Sequence, residues 1–225
     1  MKILKYFLIL ISTSHFAQEK FEFTAIDSLY REDQIYVGIS YNTLQNKPSG
    51  SISGRFTPSF SFGVIRDMPI NKSRTWAIAA GFGYAINNYN QNIQIAENNN
   101  SYSYSIIKNS FDKNKLVLNY IEIPIEFRWR NSTPETHQFW RVYAGFKASY
   151  LVYNYSKYVD RIQTKVVQSN PDLNNLLFGT YLSFGYNTIN FNVFYGLNPI
   201  YKAAKIDNNS IDMRSLNFGF MFYIL

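Results

Sequence analysis

The sequence contains no cysteine and only two histidines in 225 residues. The absence of cysteine excludes disulfide bonds, thiolate catalysis, thiolate metal ligands and the anchoring of a lipoprotein. His137 is the one histidine beyond the N-terminal segment, and it is expected in a solvated turn. A metal site would depend on carboxylates, whose spacing shows no cluster. The sequence therefore predicts no metal, no cofactor and no enzymatic activity.

Long hydrophobic runs are also missing. The apolar run at residues 3–11 is interrupted by Lys5 and is shorter than the roughly 20 apolar residues of a membrane-spanning helix. Lys2 precedes this run and the residues Ser-Thr-Ser-His-Phe lead from it to Ala17, which together predict a secretory signal peptide at residues 1–17. No later segment is apolar and long enough to span a membrane as a helix.

The chain has more basic than acidic residues. Without residues 1–17, 20 lysines and arginines remain against 15 acidic residues. A basic excess is found in many proteins that bind nucleic acid, but an exported protein does not ordinarily meet nucleic acid. We therefore expect contact with anionic lipid headgroups and no nucleic-acid partner.

The composition is rich in aromatic residues. They make up 18% of the chain, yet its mean hydropathy of −0.22 is that of a soluble protein. A transmembrane β-barrel reconciles the two values, because half of each strand faces lipid and the other half faces a polar lumen. A soluble β-barrel is the alternative, but its outward aromatic stripes would expose more apolar surface than a soluble monomer tolerates.

The C-terminal residues 213–225 alternate between apolar and mixed side chains, as expected of a strand with two different environments. The apolar face consists of Leu216, Phe218, Phe220, Phe222 and Ile224. This pattern is typical of the closing strand of a bacterial outer-membrane β-barrel.

Eight strands are predicted from such alternation. They lie at about residues 34–44, 57–68, 75–95, 115–130, 138–159, 176–186, 189–200 and 213–225. The connections after the second, fourth and sixth strands are short, whereas the others are longer and polar. The predicted fold is all-β: an eight-stranded antiparallel transmembrane β-barrel at residues 34–225, with short periplasmic turns and longer external loops. Residues 18–33 are predicted as a periplasmic N-terminal segment.

The fourth and fifth strands direct charged residues inward. These are Glu122, Glu126 and Arg128 on the fourth strand and Arg141 and Lys147 on the fifth. Opposite charges can pair across neighbouring strands, and a barrel of eight strands is only wide enough for side chains to fill it. We therefore predict an ion-pair network that plugs the lumen, and the alternative is a wet polar interior without defined pairs.

Two features are predicted at the periplasmic rim. Trp76, Trp129 and Trp140 all lie beside short turns, where an aromatic girdle is expected. Arg66 and Asp67 end the second strand and must point to opposite faces unless a bulge intervenes. One of these two charges would then enter the lumen, while the other meets headgroups or a periplasmic partner. The alternative is an ordinary charged strand end.

Three stretches resemble the PorT family of outer-membrane proteins. They are residues 31–38 (Arg-Glu-Asp-Gln-Ile-Tyr-Val-Gly), 62–71 (Phe-Gly-Val-Ile-Arg-Asp-Met-Pro-Ile-Asn) and 120–127 (Tyr-Ile-Glu-Ile-Pro-Ile-Glu-Phe). That family belongs to the type IX secretion system, which moves folded cargo such as gliding adhesins and secreted proteases across the outer membrane. The resemblance implies a non-enzymatic accessory subunit of protein transport in the cell outer membrane. Its partners would be outer-membrane lipid and other type IX secretion components, with no small-molecule substrate.

Two other functions are compatible with the same fold. A generic structural or adhesive barrel would act through its external loops. A small barrel enzyme would depend on His137, and the position of this residue in a turn on the periplasmic side disfavours that function.

Overall fold

A computed structural model of the chain describes residues 32–54, 56–99, 101–131 and 140–224. Their strands are β1 (Glu32–Gln45), β2 (Pro58–Pro69), β3 (Trp76–Asn90), β4 (Ile93–Asn98), β5 (Ser101–Ile106), β6 (Lys113–Arg130), β7 (Trp140–Val159), β8 (Thr164–Gln168), β9 (Leu176–Tyr186), β10 (Ile189–Gly196), β11 (Lys205–Ile206), β12 (Asn209–Ser210) and β13 (Arg214–Ile224). The described ranges include no helix that is long and apolar enough to cross a membrane. The predicted signal peptide, most of the predicted periplasmic segment and His137 lie outside these residues.

Eight of the strands close into one antiparallel barrel. Their order around it is β6, β3, β2, β1, β13, β10, β9 and β7, and pairing of β6 with β7 closes the ring. The first and last strands are neighbours, with Ile35 opposite Ile224 and Tyr41 opposite Phe218. Closure leaves the barrel without an exposed sheet edge. The structure therefore confirms the predicted fold class.

The outer wall carries an apolar belt, because every barrel strand turns alternate side chains outward. Exposed members of this belt include Ile35, Phe62, Phe82, Ile125 and Leu182, with between 49% and 60% of each residue accessible. In water such a surface would promote aggregation, whereas in a membrane it faces hydrocarbon. The belt places the barrel across a membrane.

The third and seventh predicted strands are shorter than expected. The third was predicted to reach residue 95, but β3 ends at Asn90 and β4 begins a separate hairpin with β5. The interruption coincides with Asn92, whose side-chain oxygen accepts a hydrogen bond from Ile52 N and whose amide donates to Gly50 O. Such side-chain bonds to the backbone compete with a strand ladder. The seventh strand, predicted to residue 200, ends at Gly196.

The external loops, predicted to be longer and polar, also contribute residues to an apolar core. The core lies between the ends of the barrel strands, the two small hairpins and the loop that follows β8. Its buried members are Leu44, Tyr89, Ile93, Ile95, Tyr104, Leu116, Leu118, Tyr120, Leu151, Val167, Leu173, Leu177, Ile200, Tyr201, Ala204, Ile206, Ile211 and Met213. We call this cluster the external cap. It gives the loops a folded structure that closes the external end of the barrel.

Small inward residues make room for large rings in the periplasmic half of the lumen. A Cβ atom on Gly145 would overlap the ring of Tyr181, and one on Gly83 would overlap the hydroxyl of Tyr36. Both glycines face the lumen, so close approach of the rings requires the missing side chain. The rings then lie beside the charged residues of the lumen.

Candidate functional site: an ion-pair network across the lumen

Arg128 lies at the centre of a buried polar network in the periplasmic half of the lumen. It stands between the outward-facing Phe127 and Trp129 on β6, and this alternation directs its side chain inward. Its Nη1 donates hydrogen bonds to Gln34 Oε1 at 2.9 Å and to Asp67 Oδ1 at 3.0 Å. One guanidinium thus joins β6 to β1 and β2.

Glu126 is the second centre of the network, two residues before Arg128 on the same face of β6. Its Oε2 accepts a hydrogen bond from Arg128 Nε at 2.6 Å. Its Oε1 accepts from the hydroxyls of Tyr181 at 2.6 Å and Tyr223 at 2.9 Å. Both carboxylate oxygens are therefore satisfied, and the network extends to β9 and β13.

Aromatic rings enclose the central guanidinium. Arg128 Cζ lies 4.5 Å from the ring centroid of Tyr143 and 5.1 Å from that of Tyr223. The two rings meet edge to face, with their centroids 5.5 Å apart. A cation over desolvated rings gains a further attraction, which helps to offset the cost of its burial.

Asp67 forms ion pairs with two arginines. Arg128 Nη1 lies 3.0 Å from Oδ1 and Arg130 Nη2 lies 3.0 Å from Oδ2, and the Asp67 side chain is 0% exposed. Arg130 Nε also donates to the carbonyl oxygen of Arg74 in the turn between β2 and β3. A carboxylate that is shielded from solvent needs such partners, because an unpaired buried charge is strongly unfavourable.

A separate ion pair lies further toward the external end. Lys147 Nζ lies 3.0 Å from Glu122 Oε2, and Ser149 Oγ donates to Glu122 Oε1 at 3.4 Å. The ammonium group also lies 5.5 Å from the ring centroid of Tyr181 and 5.2 Å from that of Phe194. This pair links β6 to β7, and its aromatic neighbours extend it toward β9 and β10.

The predicted lumen charges are all directed inward, but their pairing differs from the expected pattern. They are Glu122, Glu126, Arg128, Arg141 and Lys147. Glu122 and Lys147 form the expected kind of ion pair between the neighbouring strands β6 and β7. Arg128 pairs within β6 and with β2, because Asp67 reaches it across the lumen side of β3. Arg141 is buried opposite Arg130 in the strand register.

Sequence reasoning missed four members of the network. They are Gln34, Tyr143, Tyr181 and Tyr223. Each lies on the inward face of its strand, so the alternation of its neighbours was an available signal. One of Arg66 and Asp67 was expected to enter the lumen, without saying which. Because Val64 lies outward, Ile65 and Asp67 lie inward, so Asp67 is the residue that enters it.

Arg66 and Asp67 point to opposite faces of β2. Arg66 forms a two-fold ion pair with Asp33 on β1, with Nε to Oδ1 at 2.6 Å and Nη2 to Oδ2 at 2.7 Å. Both of these side chains are more than half exposed, at 56% and 67%. The outward charge therefore lies paired at the periplasmic rim, while Asp67 belongs to the lumen.

The three tryptophans lie on the outward face near the periplasmic ends of their strands. Trp76 is directly opposite Trp129 in the register of β3 and β6. Trp76 stacks on Phe127 with ring centroids 5.0 Å apart, and Trp140 meets Tyr186 edge to face at 5.5 Å. These positions are compatible with the predicted aromatic girdle, which stays a prediction.

Little free space remains beside the charged residues. A cavity of about 40 Å³ lies against Glu122, Lys147 and Ser149, and a second of about 10 Å³ lies against Glu126 and Tyr181. The larger one has room for about three water molecules. Side chains therefore occupy the lumen at the level of the network.

Polar contacts hold the external cap together. The hydroxyl of Tyr104 donates to Asp172 Oδ2 at 2.9 Å and accepts from Asn170 Nδ2 at 2.8 Å. Burial raises the pKa of Tyr104 above its usual value, and burial likewise raises the pKa of Tyr201. Both phenols are therefore neutral at physiological pH, and Tyr104 ties β5 to the loop after β8.

The described residues contain no group of three or more histidine, cysteine, aspartate or glutamate side chains arranged to hold a metal ion. Each lumen carboxylate described above instead has an arginine or lysine within ion-pair distance. The arrangement can resist the passage of ions and fix the relative positions of strands.

Residues 16–202 match the family model of the outer membrane protein β-barrel domain. No curated protein shows a significant match to the sequence. Among solved structures, the chain is similar to Ail, the attachment invasion locus protein of Yersinia pestis, in complex with the heparin analogue sucrose octasulfate. The identity is 13%, the match covers 86% of this chain and 100% of Ail, and the TM-score is 0.35. A similarity of this size supports no functional comparison.

Proposed function

We propose a function from one premise: this chain belongs to the family of the outer membrane protein β-barrel domain and resides in the outer membrane. Its proposed role is that of a non-enzymatic subunit of the type IX protein secretion system. It would act by contact with other translocon components and outer-membrane lipid, while its own lumen stays filled by side chains. Cargo would then cross the membrane elsewhere.

The observation that carries this proposal is the convergence of the three PorT-like stretches on Arg128. Residues 31–38 contribute Gln34, residues 62–71 contribute Asp67 and residues 120–127 contribute Glu126. All three side chains bond the same guanidinium. The resemblance to PorT therefore includes the groups that fill the lumen, beyond the alternation that any membrane barrel shows.

The filled lumen favours contact over conduction. A barrel of eight strands has an interior that side chains can fill, and the network of Arg128 and Glu126 crosses it. A folded cargo protein needs a far wider passage than an eight-stranded barrel provides. The surfaces left for function are the outer wall, the periplasmic turns and the external cap.

The periplasmic rim is the surface that we propose for translocon contact. Arg66 and Asp33 present an exposed ion pair there, on residues of two PorT-like stretches. The proposed segment 18–33, which follows the proposed signal peptide 1–17, leads into β1 in the sequence. A partner with complementary charges would contact the Arg66–Asp33 ion pair.

The test is export of type IX cargo by a strain that lacks this protein. Deletion is expected to abolish extracellular cargo, and the wild-type chain is expected to restore it. A chain carrying Asp33→Ala and Arg66→Ala should reach the outer membrane in normal amount but restore export poorly. A matched chain with Lys202→Gln and Lys205→Gln, two exposed external lysines, should restore export fully. Normal cargo export in the deletion strain would refute the proposal.

A second candidate function is adhesion or structural contact through the external loops. The observation that favours it is the folded external cap, beside which a groove of about 610 Å³ is lined by residues including Lys108 and Phe111. Replacement of both residues by alanine would then abolish surface attachment and leave cargo export unchanged. Unchanged attachment in that variant would exclude this function for the groove.

A further inference from the structure

The positive charge of the exported chain is concentrated at the external end of the barrel. The external ranges 45–57, 91–115, 157–175 and 197–214 contain 11 basic and 6 acidic residues. The rest of residues 18–225 contains 9 basic and 9 acidic residues. The whole excess of basic residues therefore belongs to the external ranges of the sequence.

Part of this charge lies on the outer wall of β6 and β7. The strand register keeps Lys113 and Lys115 on the same face of β6 as Ile121 and Ile123, although Val117 and Asn119, which lie between them on that face, are buried. Lys157 on β7 is directly opposite Lys115 in the register and shares its face. The two strands thus continue from an apolar surface into a basic one.

Two lysines directly opposite each other repel, because their Cβ atoms are only about 5 Å apart in such a pair. Neither Lys113 nor Lys157 forms an ion pair with a carboxylate in the described part of the chain. Lys115 Nζ donates to the hydroxyl of Tyr155 at 2.7 Å and lies 4.9 Å from its ring centroid. The Tyr155 hydroxyl keeps its own proton for a further acceptor. An anion at this place would relieve the repulsion.

The position of the lysines along the membrane normal matches that of the lipid headgroups. Tyr153 is on the same outward face of β7, 43% exposed, where the apolar belt ends. Lys157 is four residues further along β7, about 13 Å along the strand and about 10 Å along the membrane normal for a tilted strand. A sugar-phosphate headgroup extends to that height, and flexible lysine side chains can reach back toward it.

We propose that Lys113, Lys115, Tyr155 and Lys157 form a site for the phosphate of an outer-leaflet glycolipid. A phosphate can accept hydrogen bonds from both opposed ammonium groups and from the tyrosine hydroxyl at once. A lipid is favoured over a soluble anion because the exposed wall of β7 below the site, at Tyr150, Val152 and Tyr153, is largely apolar and suits acyl chains.

The test is lipid binding to the purified full-length protein in a neutral detergent, followed by native mass spectrometry. The probes are diphosphorylated lipid A and the same lipid without its phosphates. The wild type is expected to bind the phosphorylated form at least tenfold more tightly. Lys115→Gln with Lys157→Gln should weaken that binding by about thirtyfold. Lys115→Arg with Lys157→Arg should retain it.

The matched control is Lys202→Gln with Lys205→Gln, which removes the same charge from another external loop and should leave binding unchanged. Each variant is first checked for the heat-dependent gel mobility of a folded barrel, and Lys157→Gln alone replaces any variant that fails. Equal affinity for the two lipid forms, or equal loss in the control, would overturn the proposal. Displacement of the lipid by an equimolar amount of inorganic phosphate would overturn the assignment to a glycolipid.

Discussion

Asp67 and Arg128 are 61 residues apart in the sequence, and their side chains meet at 3.0 Å in the centre of the lumen. Both are almost fully buried, with 0% and 1% of their side chains exposed. The contact joins β2 to β6, two strands that are separated in the barrel by β3. The small inward Ala77 and Ala79 of β3 leave the space in which the two side chains meet. The lumen is therefore cross-linked by charge at this level.

Replacement of Asp67 by asparagine should destabilise the barrel strongly. The substitution keeps the shape of the side chain but leaves Arg128 and Arg130 without the charge that both contact. We expect a loss of about 3 kcal/mol in the free energy of unfolding. Urea unfolding of the protein in lipid vesicles, followed by tryptophan fluorescence, measures it.

The matched control for this prediction is Asp33→Asn, which breaks the exposed ion pair with Arg66 at the rim. An exposed pair contributes little, because water screens the two charges, so the loss of stability should be much smaller than that of Asp67→Asn. An equal loss of stability in the two variants would contradict the claim that the buried Asp67 pairs stabilise the barrel more than the exposed Asp33 pair.

Gly145→Ala should disturb the network through packing alone. The added methyl group would overlap the ring of Tyr181, whose hydroxyl donates to Glu126. Overpacking of this kind costs about 1–3 kcal/mol in the free energy of unfolding. In a background that carries Tyr181→Ala the same glycine substitution should cost almost nothing, and a double-mutant cycle measures the difference. Equal costs in both backgrounds would show that the ring is not the cause.

The turn after β7 should lose stability in acid. Asp160 accepts hydrogen bonds from the hydroxyl of Tyr158 and from the backbone N–H groups of Ile162 and Gln163, each at 2.8 Å. The Tyr158 bond is the main cause that lowers the pKa of Asp160 to about 2, and the backbone bonds add to it. A depressed pKa stabilises the folded turn above the unfolded value of about 4, and this contribution is lost as the pH falls toward 2.

Amide hydrogen exchange at Ile162 and Gln163, corrected for its intrinsic pH dependence, checks that prediction. Protection should decline between about pH 4 and pH 2 in the wild type. Asp160→Asn, which cannot titrate, should show no such decline. If protection declines equally in both proteins, the titration of a side chain other than Asp160 is the cause.

The alternation of side chains was sufficient to predict the barrel. It works because lipid and lumen impose opposite polarity on successive residues, as on β6, where Ile121, Ile123 and Ile125 face outward. The ends of β3 and β10 were less predictable. Side-chain bonds from Asn92 to the backbone decide where β3 stops, and such local competition leaves no periodic signal.

The network could be predicted only in part. Alternation directs Glu122, Glu126 and Arg128 inward, but the partner of an inward charge depends on register and on the size of residues across the lumen. The role of Asp67 depends on the small side chains of β3 between it and Arg128. The external cap was missed because its apolar residues come from three separate loops and from strand ends, and no single segment shows its periodicity.

Removal of the network should open a path for ions. Glu126→Ala with Arg128→Ala deletes the two central groups and leaves the surrounding small residues Ala77 and Ala79 unable to fill the space. We expect intermittent or steady conductance from this variant when it is folded. If this variant shows no ion conductance, Glu122 and Lys147, or the external cap, close the lumen without the Glu126–Arg128 pair.

The most direct test of a filled lumen is a planar-bilayer recording of the wild-type protein, inserted in its folded form at a range of voltages. We expect no steady ion conductance above that of the bare membrane, because Arg128, Glu126 and their tyrosine partners occupy the cross-section of the lumen. A steady, voltage-independent conductance through the wild-type barrel would contradict it.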